Sequence, residues 1–363
     1  VANAIANITL SRLENLCDDA FRRAGLSAAD AATGAGVLST TDAWGVFTHG
    51  SKALRGYLRR LLAGGLRANG RPAVTASGPS FALVDGDSSL GMVTSVFAMQ
   101  LAIDKASQTG TAYVGVHNSC HFGAAGYYAA MAAQSGLIGL AMANDIPSVA
   151  APGSRGAVTG SNPFAYAVPA GRHQPLLLDM SIATVAGGKV YAARERGEAI
   201  PFGWLVDERG LPTDAAGAYP EHATLTPAAG HKGYGLALLV ESLSGALSGA
   251  AMTWGIRSWM GDDPALPTQH GAAFLALDPR AIAPGLPARI ADLIDEIRAA
   301  PKADGADRIY VPGEMEWDRQ AAARKHGVAL PPDVIASLRE GTALVGLDLD
   351  DYLMAPGATE ELA

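Results

Sequence analysis

Two histidines sit in settings that suit proton transfer. His49 lies in "WGVFTHGSK", just before Gly50 and a helical start, with the Thr48 hydroxyl beside it. His121 lies in "NSCHFGAAGYY", at the end of the strand-like run "AYVGVHNS", where functional loops commonly begin. An imidazole exchanges a proton near neutral pH, so either can act as general acid or base, with Thr48 relaying or orienting the proton and Asn118 and Ser119 offering hydrogen bonds. Capping or packing histidines give the same local pattern, and the residues alone leave that alternative open. Cys120 adjoins His121, but neighbours on an extended strand point to opposite faces, which disfavours a Cys/His nucleophile pair.

Metal chemistry needs converging ligands, and the eight histidines include no HExxH, no HxH and no nearby cysteine pair. His49, His121 and Asp179 can still meet in space, so a metal-dependent hydrolase built on them is the alternative reading. Two glycine-rich loops, "GSRGAVTGSNP" (153–163) and "AGHKGYGLAL" (229–238), suit either an anionic ligand or plain turns. Neither matches GxGxxG in a strand-helix-strand unit or the Walker pattern, and "VAGGKV" fails on spacing.

The elements that must position these groups follow from periodicity. Leu10, Leu13, Leu16, Phe21 and Leu26 recur at helical spacing, Ser27 with Asp30 caps a second helix, and "ALRGYLRRLLAGG" stops at a glycine pair. Arg55, Arg59 and Arg60 fall on one face of that helix and read as a solvated surface. Strands are expected at "FALVDGDSS", "AYVGVHNS", "LIGLAMAN", "FAYAVP" and "PLLLDMS", with helices at "SVFAMQLAIDKASQTG", "AAGYYAAMAAQSG" and "YGLALLVESLSGALSG". From Pro284 onward the pattern is helical again, in "ARIADLIDEIRAA", "EWDRQAAARKHG" and "PPDVIASLREGTALVG". Helical ends around a strand-rich middle predict a mixed α+β fold in which the ends pack together around an inserted domain.

Composition bounds the partners. Over 363 residues, 49% apolar content supplies ample core, while 43 glycines and 21 prolines argue against a simple bundle. A net charge of −8 without a basic stripe speaks against nucleic acid. Cys17 and Cys120 are too few for a disulfide scaffold, and no leader pattern or stretch of about 18 apolar residues is present, so a cytoplasmic protein without a membrane partner is expected.

The chain resembles the type 2 malate/L-lactate dehydrogenase family, also called the L-sulfolactate dehydrogenase-like family. The segments that carry the resemblance are "THGSKALRGYLRRLLAGGL", "GVHNSCHFGAAGYYAAMAAQSGLIGLAMAN", "PGSRGAVTGSNPFAYAVP", "LLLDMSIATVAGGKV", "GEAIPFGWLVDERGLPTDA", "GHKGYGLAL" and "VPGEMEWDR", in order and spanning nearly the whole chain. The resemblance implies an oxidoreductase that uses NAD or NADP on a small 2-oxo acid, its 2-hydroxy partner or a cyclic imine acid. It also implies a non-Rossmann dinucleotide-binding domain with a largely antiparallel sheet, which accounts for the missing GxGxxG. That domain is expected at 121–254, inserted into a helix-rich substrate and dimerisation domain of 1–120 plus 255–363, in a homodimer whose site both subunits line.

By the same resemblance His49 is the acid/base, oriented by Thr48 and Asp179, while His121 carries the proton in some relatives, so their division of labour stays open. Cofactor contacts are expected from Asn144, Asp145, Ser161, Asn162, Asp179, Met180 and Ser181, from His231, Lys232 and Gly233, and from Pro312, Gly313 and Glu314. One departure concerns the substrate carboxylate, which an arginine holds best. Many relatives have arginine four residues after the first histidine, whereas this chain has Ala53, leaving Lys52 or Arg55, with Asn118, as the expected substrate contacts. A second departure is Cys120, where asparagine is frequent.

Overall fold

The computed structural model describes residues 6–353, so the outer ends of the expected helix-rich domain, 1–5 and 354–363, lie outside the described residues. The chain runs β1 (Ala6–Ile8), α1 (Leu10–Arg23), α2 (Ala28–Ala43), α3 (Leu54–Ala63), β2 (Ala73–Gly78), β3 (Phe81–Asp85), α4 (Gly91–Thr109), β4 (Thr111–Ser119), α5 (Ala125–Gln134) and β5 (Ile138–Ala143). It continues through β6 (Val149–Ala150), β7 (Ala157–Thr159), β8 (Phe164–Val168), β9 (Leu176–Met180), α6 (Gly187–Arg196), β10 (Leu205–Asp207), β11 (Pro212–Thr213), β12 (Ala223–Leu225) and α7 (His231–Glu241). The last elements are β13 (His270–Leu277), α8 (Pro279–Ile282), α9 (Leu286–Ala299), α10 (Glu314–His326), β14 (Val328–Leu330) and α11 (Pro332–Ala343).

The fold is mixed α/β with mostly antiparallel sheets, as the sequence predicts. A seven-stranded sheet has the order β2-β3-β4-β13-β5-β8-β9, and within it only β3 and β4 pair in parallel, joined by the crossover helix α4. A five-stranded sheet has the order β11-β10-β12-β6-β7, and β1 pairs with β14. The boundary expected at residue 120 falls inside the large sheet: β5, β8 and β9 share it with β2, β3, β4 and β13.

Local chemistry explains most element ends. Thr9 caps α1 by accepting Arg12 N–H, Ser27 caps α2 by accepting Asp30 N–H, and α3 stops at Gly64, whose φ of 93° is left-handed. Strand β13 is the exception, since "HGAAFLAL" has no β-branched residue and reads as a helix former. It becomes a strand because it fills the slot between β4 and β5, pairing with both along its length and burying its alanines and Phe274. The helical core includes Leu13, Leu16 and Phe21 of α1, Leu54 and Leu58 of α3, and Val334 and Leu338 of α11.

The helices α4 and α5 cover one face of the large sheet with alanine, including Ala98, Ala102, Ala129 and Ala132 over Ala141, Ala165 and Phe274. Small side chains permit a close approach, and at Gly139 a Cβ would stand 2.6 Å from both Ala129 O and Ala132 Cβ. Registration then places the ends of five strands along one sheet edge. Ser119 lies opposite His270, Ala143 opposite Ala272, Met142 opposite Phe164, and Phe164 opposite Met180. No helix among the described residues is long and apolar enough to cross a membrane.

Candidate active site

That sheet edge opens on a cavity of about 690 Å³. The turn after α2 brings Thr48 and His49 to it, the β4–α5 turn brings His121, Asn144 and Asp145 follow β5, β9 ends in Asp179 and Met180 with Ser181 next, and β13 starts at His270. Ser161, Pro312 and Gly313 also line it.

The His49 turn is fixed from behind. Asp42, 1% exposed in α2, accepts the Ser51 N–H at 3.1 Å, and Gly50 leaves the room for it, because a Cβ there would lie 1.8 Å from Asp42 Oδ1. Burial pushes the Asp42 carboxyl from 3.8 up to about 7, against the Ser51 hydrogen bonds. His49 Nδ1 and Thr48 Oγ1 are 3.0 Å apart. Burial holds the His49 imidazole below its usual 6.5, while the Asp145 charge acts the other way.

His121 stacks beside His49, ring centroids 5.5 Å apart, and lies flat on Trp259 at 4.2 Å and 12°. Its Nδ1 is 2.6 Å from the Tyr57 hydroxyl and accepts the Gly123 N–H at 3.4 Å. Burial keeps the Tyr57 hydroxyl protonated well above its usual range, so it too donates to Nδ1. From these hydrogen bonds the neutral ring carries its proton on Nε2. Burial, then the neighbouring His49 and His270, hold His121 well below 6.5.

Asp179 lines the cavity and is exposed to it. Its Oδ2 accepts the Gly126 N–H at 2.8 Å in the first turn of α5, so its hydrogen bond goes there. Burial raises its carboxyl from 3.8 to about 6, the Gly126 bond opposes this, and Glu316 adds to it. Among the described residues no three histidine, cysteine, aspartate or glutamate side chains are placed to hold a metal ion, so His49, His121 and Asp179 form no ligand set. The buried Cys120 thiol is pushed up by desolvation, away from the thiolate a nucleophile needs.

Other expected residues lie elsewhere or are held by the protein's own groups. Lys52 and Arg55 face a second cavity and are ion-paired, Lys52 with Asp333 at 2.6 Å and Arg55 with Glu340. Asn118 is tied to Asp85 and Ser88, both at 2.8 Å. Asn162 is fully buried and bridges Asp145 N–H to Ala237 O and Glu241, while the Asn144 amide joins Ala251 O to Gly271 N–H. Glu314 accepts the Val311 N–H and pairs with Arg298, and His231, Lys232 and Gly233 form the first turn of α7 outside the cavity lining.

Sequence reasoning missed His270, 3% exposed, whose Nε2 is 3.1 Å from Asp145 Oδ1. A polar residue opening an apolar run was the available signal. Tyr57 and Trp259, which frame His121, carried none. Arg60 corrects the solvated-face reading of α3: it is 1% exposed and spent on backbone carbonyls of 258–266.

Comparison with known proteins follows the same line. The malate/L-lactate dehydrogenase family model matches residues 8–339. A malate dehydrogenase of Pyrococcus abyssi is 36% identical over 319 residues, 85% of this chain and 87% of that protein. An Escherichia coli ureidoglycolate dehydrogenase (NAD(+)) is 33% identical, over 90% of this chain and 93% of its own length. The solved sulfolactate dehydrogenase of Methanocaldococcus jannaschii superposes with a TM-score of 0.88 at 31% identity, covering 95% of this chain and 99% of that one. The chain belongs to the malate/L-lactate dehydrogenase family.

Proposed function

We propose that this protein is a cytoplasmic dehydrogenase that interconverts a small 2-hydroxy acid and its 2-oxo acid, or reduces a related cyclic imine acid, with NAD or NADP. The observation that carries the reading is the stacked His49 and His121 pair on a cavity of about 690 Å³ in a chain of this family. Two buried, unpaired cysteines suit a reducing compartment.

The cavity fits a dinucleotide in size and chemistry. The first turn of α6 borders it at Ala186, Gly187 and Gly188 with no side-chain cap, which leaves backbone N–H groups for an anionic group. Val46, Leu177 and Pro312 offer apolar wall for a flat ring. Asn144, Asp145, Ser161, Met180, Ser181 and Gly313 are the proposed contacts, within the proposed binding segment 121–254 and its neighbour loop before α10. When bound, the nicotinamide supplies or accepts the hydride at the substrate's C2.

The chain's own groups handle the oxygen and its proton. His121, neutral with Nε2–H, donates a hydrogen bond to the substrate oxygen and holds it in place. His49 takes the proton in oxidation and returns it in reduction, since Thr48 Oγ1 can accept from or donate to its Nδ1 and so permits either state of Nε2. Asp179 acts through α5, fixing the turn that carries His121.

Calorimetric titration with NADH and NADPH, followed by turnover assays on pyruvate, oxaloacetate, longer 2-oxo acids and cyclic imines, tests the reading. Binding of at least one nucleotide and reduction of at least one acid are expected. Binding of neither nucleotide overturns it.

A further inference from the structure

The second cavity, about 260 Å³, adjoins the first: Thr48 and Gly188 line both. Its wall against the histidines is Trp259, the indole on which His121 lies. This wall is built into the fold. Gly56 lets the indole rest on the α3 backbone, since a Cβ there would stand 2.5 Å from the ring. Arg60 then holds the loop, donating to Trp259 O at 2.5 Å, Ser258 O at 2.7 Å and Leu266 O at 2.8 Å.

The lining is mostly apolar, from Trp259, Tyr191, Met260, Pro264, Ala53 and Gly56. Its cations are largely committed: Lys52 and Arg55 to carboxylates, Arg60 to carbonyls. Arg59 is exposed at the cavity and forms no ion pair or hydrogen bond among the described residues. A slot with an indole wall and an uncommitted guanidinium suits a flat aromatic group, which packs against the one and receives the other on its face. A methyl or carboxymethyl substituent would leave most of this volume empty.

We infer that the second cavity is the side-chain subsite of the substrate, and that the substrate class is a 2-oxo or 2-hydroxy acid bearing an aromatic side chain. The inference rests on the proposed function, which places the reacting carbon beside His49. C2 then sits at the histidines and the side chain passes Thr48 into the second cavity.

The test compares kcat/KM for phenylpyruvate and pyruvate in the full chain with the nucleotide it binds. Burying a phenyl ring predicts about a ten- to hundredfold preference for phenylpyruvate. Filling the slot with Met260→Trp, at a position 61% exposed and tolerant of change, should remove about tenfold or more of that preference while pyruvate stays within about twofold. Equal kcat/KM for the two acids, or an undiminished preference in the folded Met260→Trp variant, overturns the inference. Nucleotide binding with no turnover of any acid, pyruvate included, overturns the proposed function and this inference with it.

Discussion

His49 and His121 differ in what their ring nitrogens are free to do. Nδ1 of His121 already receives the Tyr57 hydroxyl and the Gly123 N–H, so the neutral ring presents a donor to the cavity. Among the described residues, Nδ1 of His49 meets only a hydroxyl that can give or take a proton. Oxidation of a 2-hydroxy acid needs the base form, and burial holds His49 below 6.5, so that form persists through neutral pH. We predict that kcat/KM for oxidation is level above pH 6.5 and falls as the medium acidifies through the lowered pKa. In His49→Ala, turnover should drop about 10²-fold or more and the inflection should vanish, with nucleotide affinity nearly unchanged. His121→Ala should slow turnover but keep the inflection, and so should Asp179→Asn, whose carboxyl is engaged by Gly126. An inflection that survives His49→Ala would transfer the proton role to another group.

The turn that presents His49 depends on a partnership between α2 and the residues after it. Asp42 must accept the Ser51 N–H in a setting that raises its carboxyl from 3.8 to about 7. The folded state therefore binds this proton more tightly than the unfolded chain, and stability contributed by the protonated group is lost as pH rises from about 4 to about 7. The loss amounts to at most about 4 kcal/mol. Asp42→Asn should flatten that part of the pH–stability curve while retaining an acceptor for Ser51, and urea unfolding at pH 4 and pH 7 in both proteins measures the difference. An unchanged slope would mean that Asp42 titrates alike in both states. Such couplings mark the limit of what the sequence shows. Helices α1 to α5 and strands β3, β4, β5, β8 and β9 declare themselves by period and caps, because local physics decides them. Strand β13, the Arg60 clamp and the Tyr57–His121–Trp259 stack do not, because each is decided by a segment more than sixty residues away. His49 and His121 were legible as candidates from residue type and turn position. Their separate roles were not, since tautomers are set by partners that spacing does not reveal.

One face of the molecule remains apolar without cover from the described residues of its own chain. Leu236, Leu238 and Leu239 of α7 are exposed, and so are Leu247, Met252 and Trp254 just beyond it, Trp254 at 70%. An apolar group this dense along one helix and its exit loop is costly in water and marks an association surface. A second copy of the chain is the proposed occupant, because an isologous contact lets one such face cover its equal. The same helix begins with His231, Lys232 and Gly233, which the cavity of a single chain does not use, so association at α7 would also account for cofactor contacts expected there. Light scattering should give twice the chain mass for the native protein at micromolar concentration. Leu239→Asp should halve that mass, since a carboxylate buried at such an interface finds no partner. If nucleotide affinity also falls in the monomeric variant while its fold is retained, α7 of each chain serves the other's site. A native protein that is already monomeric would overturn the dimer and leave the exposed leucines to another partner.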